Sequence, residues 1–250
     1  MLHTFPALRI GAAARCSLSC APQRYRDHAV TLAIFDLDNT LIAADSDHLW
    51  GEFLCRRGIV DGADFAARND RFYADYLRGA LDIEAYLEFV LAPLAGRPLA
   101  EIAPWQQEFM RECIAPALLP AADALIADHR GRGHRPLIIT ATNELVTRPI
   151  AERLGVPDLL GCQVEVADGT VTGRSTGTRT YREGKVTRLR EWLREENESL
   201  EGAWFYSDSH NDLPLLEVVD NPVAVDPDDT LRQTAQQRGW PVLSLLPGAT

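Results

Sequence analysis

The stretch Thr31-Leu32-Ala33-Ile34-Phe35-Asp36-Leu37-Asp38-Asn39-Thr40 decides the fold. A short apolar, β-prone run stops abruptly at an aspartate, and a second aspartate follows two residues on. A run with no polar alternation suits a strand covered on both faces, as in a parallel sheet. Similar runs recur at 136–140, 203–208, 222–226 and 241–245. Between them lie helical patterns at 121–130, 144–154, 184–195, 213–219 and 228–238, three of them closed by Gly131, Gly155 and Gly239. Strands alternating with helices predict right-handed βαβ units and a doubly wound α/β fold.

Two insertions interrupt this alternation. Residues 46–118 hold no convincing strand and read as four helices, at about 46–57, 63–78, 82–94 and 99–113, punctuated by Gly58, Gly79, Pro93, Gly96, Pro98 and Pro116. They predict a helical cap inserted into an α/β core made of 30–45 and 119–250. The second insertion, 163–172, alternates apolar and polar residues around Asp168-Gly169 and reads as a β-hairpin. Residues 1–29 stand apart, with four arginines and no acid between Met1 and Arg26. Arg9 breaks the apolar centre that a secretory signal needs. The segment reads as a disordered arm, or as a start codon placed too early.

Composition sets the outer bounds. A chain of 250 residues with 46% hydrophobic residues can bury a core. Its net charge of −11 argues against non-specific nucleic-acid binding, which needs a basic footprint. Cysteines at 16, 20, 55, 113 and 162 are odd in number and scattered, so they read as free thiols in a cytoplasmic protein, not as a disulfide or zinc framework. Charge or proline cuts every long apolar stretch, which excludes a membrane span. Oligomeric state stays open between monomer and homodimer.

In open α/β sheets, ligands bind at the carboxyl ends of the strands. Asp36, Thr140 and Asp208 stand at three such ends, and Lys185 opens a helix between the last two. A carboxylate there can attack phosphorus as a nucleophile. An acid two residues on, Asp38, can protonate a leaving oxygen and later deprotonate water. The rival reading of Asp36, Asp38 and Thr40 as an EF-hand loop fails, because Leu41 takes the glycine position and Asp47 the final glutamate position. Thr140 can bind phosphate oxygens through its hydroxyl and nearby backbone N–H groups, with small residues opening a helix behind it. Lys185 opposes the helix dipole, a cost that makes sense if it must reach an anion. It is the only lysine, against 24 arginines. Asp208 and Asp212 flank a turn, one suited to a metal and the other to support. His210 has no second histidine at ligand spacing and reads as hydrogen-bonded or solvent-facing.

Charge argues for a metal. Three aspartates at one crevice repel a phosphate monoester that brings about two more negative charges. Like charges about 4 Å apart repel by about 4 kcal/mol at an effective dielectric of 20. One lysine cannot cancel this, whereas Mg²⁺ held by a few carboxylates, waters and substrate oxygens can.

Taken in order, the four segments resemble the signature motifs of the haloacid dehalogenase superfamily of phosphatases, and the helical insert resembles the cap of its phosphoserine-phosphatase-like branch. The stretch 41–50 is similar to that of a bacterial subgroup some of whose members are described as histidinol-phosphatases. The resemblance implies that Asp36 forms an aspartyl-phosphate and ligates Mg²⁺. It makes Asp38 the general acid/base and its carbonyl a metal ligand, and Asp208 completes the metal site. Thr140 and Lys185 would bind phosphate. Asn39, Thr40, Asp45, Ala141 and Asn211 are further expected substrate contacts, with Asp212 supporting. Phosphoserine phosphatases place a glutamate where this chain has Asp45, which counts against phosphoserine, and Ser207 replaces their usual glycine. The expected substrate is a small phosphorylated metabolite, with Asp45, His48 and Arg71 the first cap residues to consider. Transfer to an alcohol acceptor would use the same residues. A receiver-type phospho-aspartate module would share several of them, but the gap from Asp36 to Thr140 counts against it.

Overall fold

The computed structural model describes residues 30–248; the arm expected at 1–29 lies outside them. Its centre is a seven-stranded sheet in the order β4-β3-β2-β1-β5-β6-β7. Strand β1 is Leu32–Phe35, β2 Arg135–Asn143, β3 Asp158–Ala167, β4 Thr170–Thr176, β5 Trp204–Ser207, β6 Asn221–Val225 and β7 Val242–Leu243. All pairings are parallel except β3 with β4. The doubly wound α/β reading therefore holds.

Alternate side chains of β1 serve the two faces, as the period of a strand requires. Leu32 and Ile34 join a cluster with Leu137, Leu189, Leu215 and Leu231. That face is covered by α7 (Glu183–Glu196), α8 (Leu213–Leu216) and α9 (Asp229–Arg238). Ala33 and Phe35 join the other cluster, with Ile126 of α5 (Pro120–Gly131) and Ile150 of α6 (Glu144–Arg153).

The insert is helical, as expected: α1 Ser46–Arg56, α2 Gly62–Leu77, α3 Ile83–Leu91 and α4 Leu99–Phe109, the last running into a single π-type turn at Met110–Ile114. Its apolar side chains, including a packed group of Trp50, Phe53 and Phe109, belong to the same cluster as Phe35. Cap and sheet thus share one core on that face. The two ends of the insert are stitched together where they leave the sheet. Ile42 bridges Leu118, and the Ala43 N–H donates to the Ala117 carbonyl at 2.8 Å.

Two expectations need correction. The hairpin around Asp168-Gly169 forms, but it is no separate insertion: β3 begins at Asp158, pairs with β2, and then turns back as β4 to form the sheet edge. Ala141, Thr142 and Asn143 do not open a helix. They continue β2, and α6 starts only at Glu144, capped by the Asn143 side chain accepting from the Val146 N–H. The hydrogen bonds of the strand outcompete local capping until Asn143.

Candidate active site

Register brings the expected residues together. Phe35 stands opposite Ile138 on β2 and Tyr206 on β5. Asp36 follows Phe35 directly, its N–H donating to the Tyr206 carbonyl at 2.9 Å. Thr140 and Asp208 lie two residues beyond Ile138 and Tyr206, so all three arrive at one rim of the sheet. After Asp36 the chain leaves extended geometry. The Leu37 carbonyl accepts from the N–H groups of Thr40, Leu41 and Ile42, and Asn39 takes a left-handed φ of 55°. That tight turn aims Asp38 back at the rim.

Lys185 is the hub. The residue is 2% exposed, and its ammonium donates to Asp36 at 2.7 Å and to Asp212 at 2.8 Å. Burial disfavours the charge, but Asp212 and Asp36 outweigh this and hold the lysine above its ordinary pKa. The helix start that carries it is unusual. Arg182 sits at φ 52°, and a Cβ on Gly184 would come within 1.9 Å of the Arg179 carbonyl oxygen. Asp212 is also held by the Ser207 hydroxyl at 2.7 Å. The serine that replaces the family's glycine thus has work to do.

Asp38 is fixed at both oxygens. One accepts from the Ser46 N–H at 2.7 Å, the other from the Thr142 hydroxyl at 2.8 Å and the Thr140 hydroxyl at 3.3 Å. Threonines two apart on a strand share a face, a signal that could have pointed to Thr142 from the sequence. Burial raises the pKa of Asp38 against these hydrogen bonds, and it raises Asp36 against the pull of Lys185. Burial also pushes Asp208 up to about 8, against the hydroxyl of Thr40. Buried carboxylates crowded in this way call for a cation beyond Lys185. No three His, Cys, Asp or Glu side chains among the described residues form a ready-made metal cage. The donor set is all oxygen and incomplete, which fits a hard cation that keeps waters.

Thr40 is fully buried, and its hydroxyl donates to Asp208 Oδ1 at 2.9 Å and accepts the Asp208 N–H at 3.1 Å, which holds Asp208 in place. Asn211 likewise links cap to core: its Nδ2 donates to the Tyr76 carbonyl, and its Oδ1 accepts from the Tyr181 hydroxyl. His210 is hydrogen-bonded, through Nδ1, to Asp228 at 2.7 Å.

The rim forms one side of a pocket between sheet and cap. Asp36, Asp38, Thr140 and Ala141 form its floor, and Asp45, Asp47, His48, Tyr73, Tyr76 and Tyr86 are among the cap residues lining it. Asp45 caps α1, accepting from the His48 N–H at 2.7 Å; burial and then Asp38 push its pKa up to about 7. The His48 ring stacks on Tyr73 at 4.8 Å between centroids. Arg71 is exposed and does not line the pocket. Asp47 does, and it was missed in the sequence because an aspartate in the first turn of a helix reads as an ordinary dipole partner.

A buried carboxylate paired with a buried ammonium, and a second carboxylate two residues on, thus stand together at the carboxyl edge of a doubly wound sheet, where such folds bind ligands. The comparisons with known proteins agree. Residues 33–217 match the family model of the haloacid dehalogenase-like hydrolases, and the chain belongs to that family. It is 48% identical over 217 residues to a histidinol-phosphatase of Neisseria meningitidis, covering 85% of this chain and 98% of that one. It is 33% identical over 213 residues to a phosphoserine phosphatase of Mycobacterium tuberculosis, covering 84% and 69%. Among solved structures, a protein of unknown function from Bordetella pertussis superposes with a TM-score of 0.82 at 43% identity, covering 88% of this chain and all of that one. The chain is thus an enzyme of the phosphatase class.

Proposed function

We propose that this enzyme hydrolyses a small phosphate monoester by way of an aspartyl-phosphate on Asp36. The observation that carries this reading is the seat of Asp36, at the tip of β1, 2.7 Å from the buried Lys185 ammonium and facing the pocket it shares with Asp38. An Asp36 oxygen attacks phosphorus, the ester P–O bond breaks, and the departing alcohol oxygen takes a proton from Asp38. Burial raises the pKa of Asp38, which suits it to hold that proton at the outset. Water then gives a proton to Asp38 and attacks the phosphorus. The bond to Asp36 breaks, and inorganic phosphate leaves. Lys185 and Thr140 steady the phosphoryl oxygens. Mg²⁺ is the cation this donor set suits; the Asp36 and Asp208 carboxylates and the Asp38 carbonyl would hold it. When bound it neutralises charge on the phosphoryl group.

Histidinol phosphate is the substrate we put first and phosphoserine the second. The histidinol-phosphatase relative supports that order, as does Asp45 in the place of the longer glutamate. We assign the reaction to the cytoplasm, supported by the free thiols of Cys55, Cys113 and Cys162.

The test is release of inorganic phosphate from histidinol phosphate, phosphoserine and p-nitrophenyl phosphate. Turnover with Mg²⁺, its loss on chelation, its return on adding the metal, and no turnover by a folded Asp36→Asn variant are expected. No hydrolysis of any of the three by the parent protein with Mg²⁺ sinks the reading. A phosphorylated alcohol acceptor in place of free phosphate would make the enzyme a phosphotransferase, and a long-lived aspartyl-phosphate would make it a signalling module.

A further inference from the structure

Asp47 is a buried carboxylate without a cation. It is 4% exposed, sits in the first turn of α1, and lines the same pocket as Asp36 and Asp38. Its hydrogen-bond partners are neutral: Asn143 Nδ2 at 3.1 Å and the Tyr86 hydroxyl. No Lys, Arg or His among the described residues pairs with it. The chemistry at Asp36 and Asp38 makes no use of it. Taking a carboxylate out of water with no countercharge is costly, and a pocket that keeps one open to its interior is suited to a cationic visitor.

The surroundings of Asp47 point the same way. Asp45 lines the same pocket, and so do the rings of Phe72, Tyr73, Tyr76 and Tyr86. Aromatic faces attract cations and flat heterocycles. No Lys or Arg is among the lining residues. A carboxylate on the leaving group would therefore arrive among aspartates with no lysine or arginine on the wall to receive it, whereas an ammonium or imidazolium would be met by Asp47 and Asp45.

We propose that Asp47, assisted by Asp45, is a specificity-determining residue that receives a positively charged nitrogen of the leaving group. The pocket thereby selects phosphate monoesters of small amino alcohols that carry a cation and no carboxylate. This rests on the phosphomonoesterase reading and adds to it the charge of the substrate and the residue that reads it. An Asp47 that only braced α1 against β2 through Asn143 would make the same hydrogen bonds and would be blind to substrate charge.

The experiment compares two kcat/KM values, for histidinol phosphate and for p-nitrophenyl phosphate, whose leaving group bears no cation. Asp47→Asn keeps the shape and removes the charge. The ratio of the two values is expected to fall 10- to 100-fold, mainly through KM for histidinol phosphate. The parent enzyme should favour histidinol phosphate over phosphoserine at least tenfold. A ratio within twofold of the parent's, or a parallel loss on both substrates, overturns the proposal. Calorimetry with histidinol alone probes the same subsite without hydrolysis, and Asp47→Asn should weaken that binding about tenfold. If the parent cleaves no monoester yet binds histidinol through Asp47, the reaction is wrong and the subsite stands. If the parent cleaves p-nitrophenyl phosphate but the ratio ignores Asp47→Asn, the subsite is wrong and the reaction stands.

Discussion

Replacing Lys185 with Met tests the charge arrangement at its centre. The lysine is 2% exposed and clasped between Asp36 at 2.7 Å and Asp212 at 2.8 Å. Methionine keeps most of the side-chain volume and removes the ammonium. Two buried carboxylates then face each other with no cation of the chain between them. Removing one partner of a buried ion pair costs about 3–5 kcal/mol. In a chain of this size 1 kcal/mol moves Tm by about 2–4 °C, so a fall of roughly 6–20 °C is expected. The loss has a definite pH dependence. Without the lysine, the buried Asp36, already raised by burial and by Asp212, relieves the repulsion by taking up a proton, which carboxylates of the unfolded chain hold only near pH 4. Above that pH the folded variant binds more protons than its unfolded chain, so its stability falls as pH rises. The gap to the parent is therefore wider at pH 8 than at pH 5. Calorimetric unfolding in metal-free buffer at both pH values measures it, and a second substitution, Asp212→Asn, should recover part of the loss. A shift below about 2 °C, or one equal at the two pH values, refutes the reasoning.

Two further outcomes follow from geometry away from that hub. The buried His129 ring exchanges hydrogen bonds of 2.8 Å with His134 and with the Tyr206 hydroxyl, and burial, then His134, lowers its pKa to about 4. The unfolded chain takes up this proton near pH 6.5 and the folded chain waits until about pH 4. Stability should thus drop by at most about 3 kcal/mol as acid is added through that window, and urea titrations of a His129→Gln variant should show the slope flattened. Gly184→Ala drives a methyl group to within 1.9 Å of the Arg179 carbonyl. Because Lys185 is the next residue, both a stability loss of about 2 kcal/mol or more and a steep fall in turnover are expected. A normal denaturation midpoint would show that the loop yields easily.

Much of this enzyme was legible before any coordinates. Asp36, Thr140 and Asp208 could be brought to one rim because apolar runs mark strand ends, and strand ends in a parallel sheet share an edge. The start of β3 was not legible. Its sequence, Asp158-Leu-Leu-Gly-Cys, is a short apolar run that lacks alternation and β-branched residues, and only pairing with β2 makes it a strand. Thr40 reads as a substrate contact, and nothing in the sequence shows that its hydroxyl turns to Asp208. Its commitment to Asp208, 168 residues away, exists only in three dimensions. Asp47 escaped notice for the opposite reason: an acid near a helix start has a sufficient local explanation, and its missing countercharge shows only once the neighbours are known.

The stitch between Ile42 and Leu118 has a bearing on how such enzymes diverge. A loop whose base is already fastened places little burden on the scaffold, since doubling its length adds only about 0.6 kcal/mol of closure entropy. The graft between those points can be lengthened, trimmed or resurfaced while β1 and β2 keep their alignment. Appetite for new substrates can then evolve in one module while the reactive aspartates, anchored below the seam, go on unchanged.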